Sequence, residues 1–302
     1  MLLRFIANNN VTIPFMKMRF VTFVLSILLV VASLFSVATQ GLNFGIDFKG
    51  GTLIEIKTEA TPDITKLRQD LNALGYGAIS IQEFGAVNDL LIRVPAQEEG
   101  RTVQQKLLSD VKAVLGEGVD YRRVEFVGPQ VGEELIEAGV LAIILSIGGI
   151  LVYIWARFEW QLGVAAVMAL IHDAIATIGL FSFTQMEFSL STVAAVLMIA
   201  GYSINDTVVN FDRVRENLRR YKKMPLEELF DLSINQMLAR SVLTSLTTFI
   251  AMIALCVFGG EVIRDFMYAL IWGVFVGTYS SIFLAVPLLL YLKISTHDTR
   301  GK

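Results

Sequence analysis

Two acidic side chains stand in runs that otherwise read as hydrocarbon. Asp206 lies in SLSTVAAVLMIAGYSINDTVVNF and Asp173 in VAAVMALIHDAIATIGLF. A carboxylate inside a membrane helix costs at least ~2.5–3.5 kcal/mol to insert, so such residues serve as proton relays, ion sites or internal salt bridges. Tyr202, Asp206, Asn210 and Arg213 step by four, four and three and so share one helical face, with Gly201 and Asn205 beside it. Gly201, Ala194 and Ala195 are small enough to let another helix approach. Asp206 is six positions from Asp212, ~9 Å of helix rise, which places Asp206 within the span but nearer its end.

The next apolar helix answers that face. Arg240, Thr244, Thr247 and Thr248 fall on one stripe, with Ser241 and Ser245 next to it. Arg240 enters from the side that Asp206 is nearest, so an Asp206–Arg240 pair is expected. A cation beside a carboxyl favours its charged form and burial opposes it, a balance suited to proton exchange. The plainer alternatives are a static ion pair for Asp206, a snorkelling anchor for Arg240, and threonines bonded to their own i−4 carbonyls. His172 and Asp173 point about 100° apart and cannot face one pathway, so they read as a possible second polar site whose role is helix packing.

These residues need membrane-spanning helices to position them. The chain is 54% hydrophobic with a mean hydropathy of +0.61, too apolar for an ordinary soluble domain. Six spans are predicted, each near the ~20 residues that cross the hydrocarbon: 20–38, 135–155, 162–183, 188–211, 241–258 and 266–292. Gly273, Gly277 and Pro287 offer bends in the last. The basic residues Arg4, Lys17, Arg19, Arg157, Arg213, Arg215, Arg219, Arg220, Lys222, Lys223, Lys293, Arg300 and Lys302 fall on one side, which makes both termini cytoplasmic and the 39–134 loop external. Ser36-Val37-Ala38 resembles a signal cleavage site, but the preceding apolar run exceeds the ~7–15 residues of a signal core, so an uncleaved helix is expected. The single Cys256 excludes an intrachain disulfide. Pro225 and the periodic Leu226, Leu229, Phe230, Ile234, Met237 and Leu238 predict an amphipathic helix at the inner membrane surface within a cytoplasmic loop spanning 212–240.

The external segment predicts βαββαβ: strands over 53–58, 78–84, 89–94 and 120–127, helices over 64–74 (capped by Gly75) and 102–115 (stopped by Gly116). That order implies a small α+β ferredoxin-like domain on an α-helical membrane protein. It carries no Cys, no His and no phosphate-cradling loop, so no enzyme, metal or cofactor site is expected there. Its acidic balance argues against a nucleic-acid partner. Gly45-Ile46-Asp47-Phe48-Lys49-Gly50-Gly51-Thr52 precedes it and reads as a defined docking turn, with Gly50-Gly51 permitting positive φ and Asp47 capping.

These motifs together resemble the SecF family of protein-export membrane subunits. The resemblance is carried by Gly45–Thr52 (GIDFKGGT), Val127–Glu134 (VGPQVGEE), Leu170–Asp173 (LIHD), Gly201–Arg215 (GYSINDTVVNFDRVR) and Asn235–Thr248 (NQMLARSVLTSLTT). It runs through all six spans, with Lys49 where the family often has a small polar residue. The resemblance implies an RND-like half completed by SecD in the bacterial inner membrane. It further implies action beside the SecYEG translocon, often with YajC, on preprotein clients. The proton is the implied coupling ion, with Asp206 and Arg240 on the family's proton path. Two other classes share features of the sequence. A half-transporter for small molecules or lipids shares the architecture, and an intramembrane aspartyl protease shares the paired carboxylates, although neither Asp stands in Gly-x-Gly-Asp.

Overall fold

The structure, a computed structural model, describes residues 13–84, 86–97, 100–259, 263–292 and 294. Arg4, Glu261, Lys293, Arg300 and Lys302 lie outside the described residues, as does most of each terminus. The chain divides into two compact units, one of helices and one built on a sheet.

In the sheet unit, a single helical turn α2 (Ile46–Lys49) leads into β1 (Gly51–Thr58), followed by α3 (Ile64–Asn72), β2 (Ser80–Phe84), β3 (Ala86–Val94), α4 (Arg101–Leu115) and β4 (Val119–Val127). The four strands pair antiparallel in the order β2-β3-β1-β4. That is the predicted βαββαβ sandwich, because alternation in β1 and β3 sends Ile54, Ile56, Leu90 and Ile92 to the face where Leu71, Leu107 and Val111 arrive from the two helices. Leu53 and Leu91 pack with Ile46 on the other face. Asp63 caps α3 by accepting from the amides of Thr65 and Lys66. α3 stops at Asn72, earlier than the apolar spacing implies, and Gly75 closes the following turn with φ +80°. Gly116 closes α4 through its amide to Lys112 O.

The sheet unit also takes in Glu187–Leu190, which the sequence leaves as a short turn between spans. The Gly45–Thr52 motif holds it. Gly45 donates its amide to Phe188 O, Asp47 Oδ2 accepts from the amide of Leu190 at 2.9 Å, and Phe44, Phe48 and Phe188 pack ring against ring. Arg93 of β3 pairs with Glu187 at 2.6 Å. A Cβ at position 45 would run into the Glu187 carboxylate. Gly51 has φ +126°, and a Cβ there would meet Val94 O, so glycine is required at both positions for different reasons.

Among the described residues six helices are long and apolar enough to span a membrane. They are α1 (Phe15–Gln40), α5 (Pro129–Arg157), α6 (Trp160–Thr184), α7 (Leu190–Arg220), α8 (Leu226–Phe258) and the broken sixth span. That span runs as α9 (Arg264–Ser280), a π-helical turn (Ser281–Ala285) and α10 (Val286–Tyr291). Pro287 cannot donate to Phe283 O, which accepts from Thr22 Oγ1 of α1 instead. Gly273 and Gly277 of α9 admit Ile199 and Ser203 of α7, where any larger side chain would collide or crowd. α6 and the sixth span bury 56% and 67% of their apolar windows, while α5 and α8 bury 6% each. The first pair is therefore the core of the bundle, and the second presents most of its surface outward.

One expectation is corrected. The amphipathic stretch after Pro225 is not a separate helix: it is the first part of α8, and only residues 221–225 link it to α7. Leu229, Phe230 and Ile234 instead enter a protein core with Phe211, Val214 and Leu218 of α7 and Phe15 and Met16 of α1. Periodic apolar residues require a buried face, and here neighbouring helices supply it. Polar contacts fix the register: Met16 N to Asp231, Ile13 to Asn235, and Asn217 to Ser233 and Gln236.

Candidate intramembrane carboxylate site

Asp206 sits midway along α7, half-buried, facing α8 and the π turn of the sixth span. Ser241 Oγ donates to its Oδ1 at 2.6 Å, and Ser281 Oγ donates to its Oδ2. Among the described residues Asp206 makes no ion pair. The expected Asp206–Arg240 pair is not formed: Arg240 is exposed, and the neighbouring Ser241 points inward in its place. Adjacent helical residues differ by about 100°, so the rotation that brings Ser241 to Asp206 turns Arg240 away.

The rest of the predicted stripe divides. Tyr202 donates its hydroxyl to Ser245 Oγ at 3.2 Å, Ser245 lies 2.6 Å from Thr278 Oγ1, and Thr278 donates to Val274 O at 2.7 Å. Each hydroxyl in that line can donate to the next group, and Ser245 and Thr278 also accept from the one before. Thr247 and Thr248 bond to carbonyls of their own helix. Thr244 and Asn205 are exposed, as is Gly201. Asn210 is buried, and Arg213 pairs with Glu216 at 2.5 Å. Thr207 Oγ1 and Asn210 Nδ2 are buried without a partner among the described residues. Such atoms are uncommon in native interiors and are where protein holds water.

Asp173 is fully buried in α6. Ser203 of α7 donates to its Oδ2 at 2.5 Å, Ser280 of α9 to the same oxygen at 2.7 Å, and His172 Nδ1 lies 2.9 Å from Oδ1. The adjacent His172 and Asp173 do meet, side chain to side chain, despite leaving the helix in different directions. The two carboxylates are bound by different hydroxyls, unlike a protease dyad that shares one proton between touching acids. The serines that matter most, Ser203, Ser280 and Ser281, escape a reading based on charge. The signal for Ser280 and Ser281 is the run Thr278-Tyr279-Ser280-Ser281, four hydroxyls in succession within an apolar span; Ser203 has none of that kind. No group of three or more His, Cys, Asp or Glu capable of holding a metal occurs among the described residues.

A bundle of six spans with a ferredoxin-like insert after the first, and carboxylates in spans three and four, defines a class seen in known proteins. Residues 107–295 match the family described as protein export membrane protein SecD/SecF, C-terminal, and residues 35–62 match the SecD/SecF GG motif. The chain thus belongs to the SecD/SecF family of protein-export membrane proteins. Its relatives narrow this to the SecF members. It is 45% identical over 283 residues to the protein translocase subunit SecF of Rickettsia bellii, covering 93% of each chain. It is 47% identical over 285 residues to that of Vibrio alginolyticus, covering 94% of this chain and 90% of the relative. The crystal structure of SecDF from Thermus thermophilus, a translocon-associated membrane protein, superposes with a TM-score of 0.85 at 36% identity, over 94% of this chain. A SecDF structure in a super-membrane-facing form gives 0.68 at the same identity and coverage. This chain spans 39% of the length of those SecDF chains.

Proposed function

We propose that this chain is the SecF half of a SecD–SecF complex of the bacterial inner membrane, and that Asp206 takes up and releases protons to drive a late step of preprotein translocation. The observation that carries the reading is Asp206 itself: a membrane carboxylate held by two serine hydroxyls and, among the described residues, by no cation. An ionised carboxylate without a counter-charge in a low-dielectric region is costly, while its neutral form is not. The hydroxyls suit both forms. Ser281 has a second acceptor in Thr278 O at 3.1 Å, so it can turn its proton there and accept from a neutral Asp206.

Polar groups continue on both sides of Asp206. Thr207 and Asn210 lead toward the Arg-rich end of α7, and Tyr202, Ser245 and Thr278 form the hydroxyl line beyond it. The positive-inside pattern makes the Arg-rich end cytoplasmic, with both termini on that side and the sheet domain periplasmic. Arg240, Thr244, Thr247, Asn205 and Gly201 lie exposed on α7 and α8. Polar side chains exposed at membrane depth call for cover, which the SecD half supplies. With that cover Arg240 sits at the mouth of the site and raises the local positive potential. SecYEG, YajC and the client preprotein are the further partners of this reading.

The test is Asp206→Asn in the assembled complex, reconstituted with the translocon. Export driven by an imposed proton gradient is lost while the variant still co-purifies with SecD. Normal export by that variant contradicts the proton reading, and loss of co-purification assigns Asp206 to assembly instead.

A further inference from the structure

Ser280 and Ser281 are consecutive residues, and each serves a different carboxylate. Ser280 donates to Asp173 Oδ2 at 2.7 Å, and Ser281 donates to Asp206 Oδ2. Peptide geometry holds their Cα atoms ~3.8 Å apart. α7 makes a second connection, because Ser203, which donates to Asp173, lies three residues before Asp206 on the same helix.

Each serine of the pair also reaches the carbonyl three residues back, Gly277 O for Ser280 and Thr278 O for Ser281, both at 3.1 Å. A hydroxyl has one proton, so it donates either to its carboxylate or to its own helix. In the second setting its oxygen accepts from a protonated acid. The pair therefore fits the charged and the neutral form of both carboxylates. Ser281 also begins the π-helical turn, a geometry frequent at functional sites.

His172 supplies an independent observation. Its Nδ1 meets Asp173 Oδ1, while its Nε2, on a side chain 4% exposed, is buried without a partner among the described residues. A proton held by this pair has two alternative homes, the imidazole or the carboxylate. The other titratable groups around Asp173 are Tyr279 of α9, tilted against the His172 ring at 6.2 Å between centroids, and Asp206 of α7. α1 meets Tyr279 with Thr22 and Ser26, whose polar atoms are a carbonyl and a hydroxyl. α8 contributes Ser241 at Asp206.

We propose that Asp173 with His172 is a second proton-exchanging station, coupled to Asp206 through the Ser280–Ser281 pair, so that a proton on one carboxylate changes the proton affinity of the other. This rests on the reading of Asp206 as a proton-handling group. Sites coupled in this way titrate as a pair in two macroscopic steps.

The test is pH-difference infrared spectroscopy on the purified complex of this chain with its SecD partner, following the carbonyl stretch of protonated carboxylic acids. Asp173→Asn and Asp206→Asn assign the two bands. The expected result is that Asp173→Asn removes one band and displaces the midpoint of the other by about one pH unit. Ser280→Ala, which touches Asp173 and not Asp206, also displaces the Asp206 midpoint, and it guards against misfolding of the Asn variant. The proposal is overturned if Asp173 stays ionised at every pH the complex survives, or if Ser280→Ala leaves the Asp206 midpoint in place. Export by Asp206→Asn is read separately: normal export with coupled bands refutes the proton-driven function and leaves the coupling standing.

Discussion

Asp173 and Asp206 are built alike and placed differently. Each accepts from two serines, one on the helix next in the chain and one on the sixth span: Ser203 and Ser280 for Asp173, Ser241 and Ser281 for Asp206. Asp173 adds an imidazole and is sealed at the centre of the bundle. Asp206 has no third partner among the described residues, is half-buried, and stands beside exposed polar residues of α7 and α8. The same chemical device thus serves an enclosed position and one at the edge, and depth separates what removing each would do.

The sharpest way to break that comparison is to remove each acceptor in turn. Asp173→Ala takes the partner from the Ser203 hydroxyl and from His172 Nδ1, both buried, at about 1–3 kcal/mol for each unsatisfied group, while Ser280 can turn to Gly277 O. Thermal unfolding of the detergent-solubilised complex should fall steeply, and much less for Asp206→Ala, whose site is only half-buried. Equal losses would erase the distinction. A second comparison uses the serines: Ser203→Ala should lower stability by about 1 kcal/mol, and Ser241→Ala by less, with its main effect on proton-driven export. The reverse order would exchange the roles of the two sites.

Arg240 sharpens the comparison from the other side. Breaking a buried ion pair costs about 3–5 kcal/mol, whereas an exposed Arg carries little stability. Arg240→Gln should therefore leave the unfolding temperature nearly unchanged, and a large drop would restore the Asp206–Arg240 pair. The smallest effect belongs to a control far from either carboxylate. Tyr76 donates to Asp110 Oδ2 at 2.6 Å, and that bond, followed by burial, raises the phenol above its ordinary value of 10.0. A raised acid is stabilising while protonated, so its contribution is complete below pH 10 and lost as pH rises through the raised value. Unfolding of wild type and Tyr76→Phe, followed by the sheet domain's circular dichroism, should converge only above that range, in either carboxylate background.

The spans and the βαββαβ order were legible because hydropathy and strand alternation are properties of consecutive residues. Asp206 and Asp173 were legible for the same reason, since a carboxylate in an apolar run announces itself. What the sequence could not show was rotation of one helix against another. Arg240 and Ser241 are neighbours, and which of them meets Asp206 depends on how α8 packs on α7. The stretch from Leu226 to Leu238 was correctly amphipathic, but its period says only that one face is buried, not that Phe211, Val214 and Leu218 bury it. Ser280 and Ser281 were hidden because membrane serines usually bond their own helix. Their partners follow from the π turn before Pro287 and from the close approach that Gly273 and Gly277 allow.

The central claim is that the carboxylate of Asp206 exchanges protons during export. Its most direct measurement is translocation of a preprotein into proteoliposomes holding the complete SecD–SecF complex and translocon, with and without a proton gradient, for wild type and Asp206→Asn. The gradient is expected to accelerate export by wild type and to have no effect on the variant, although both complexes assemble to the same extent. Equal acceleration of the two would contradict it.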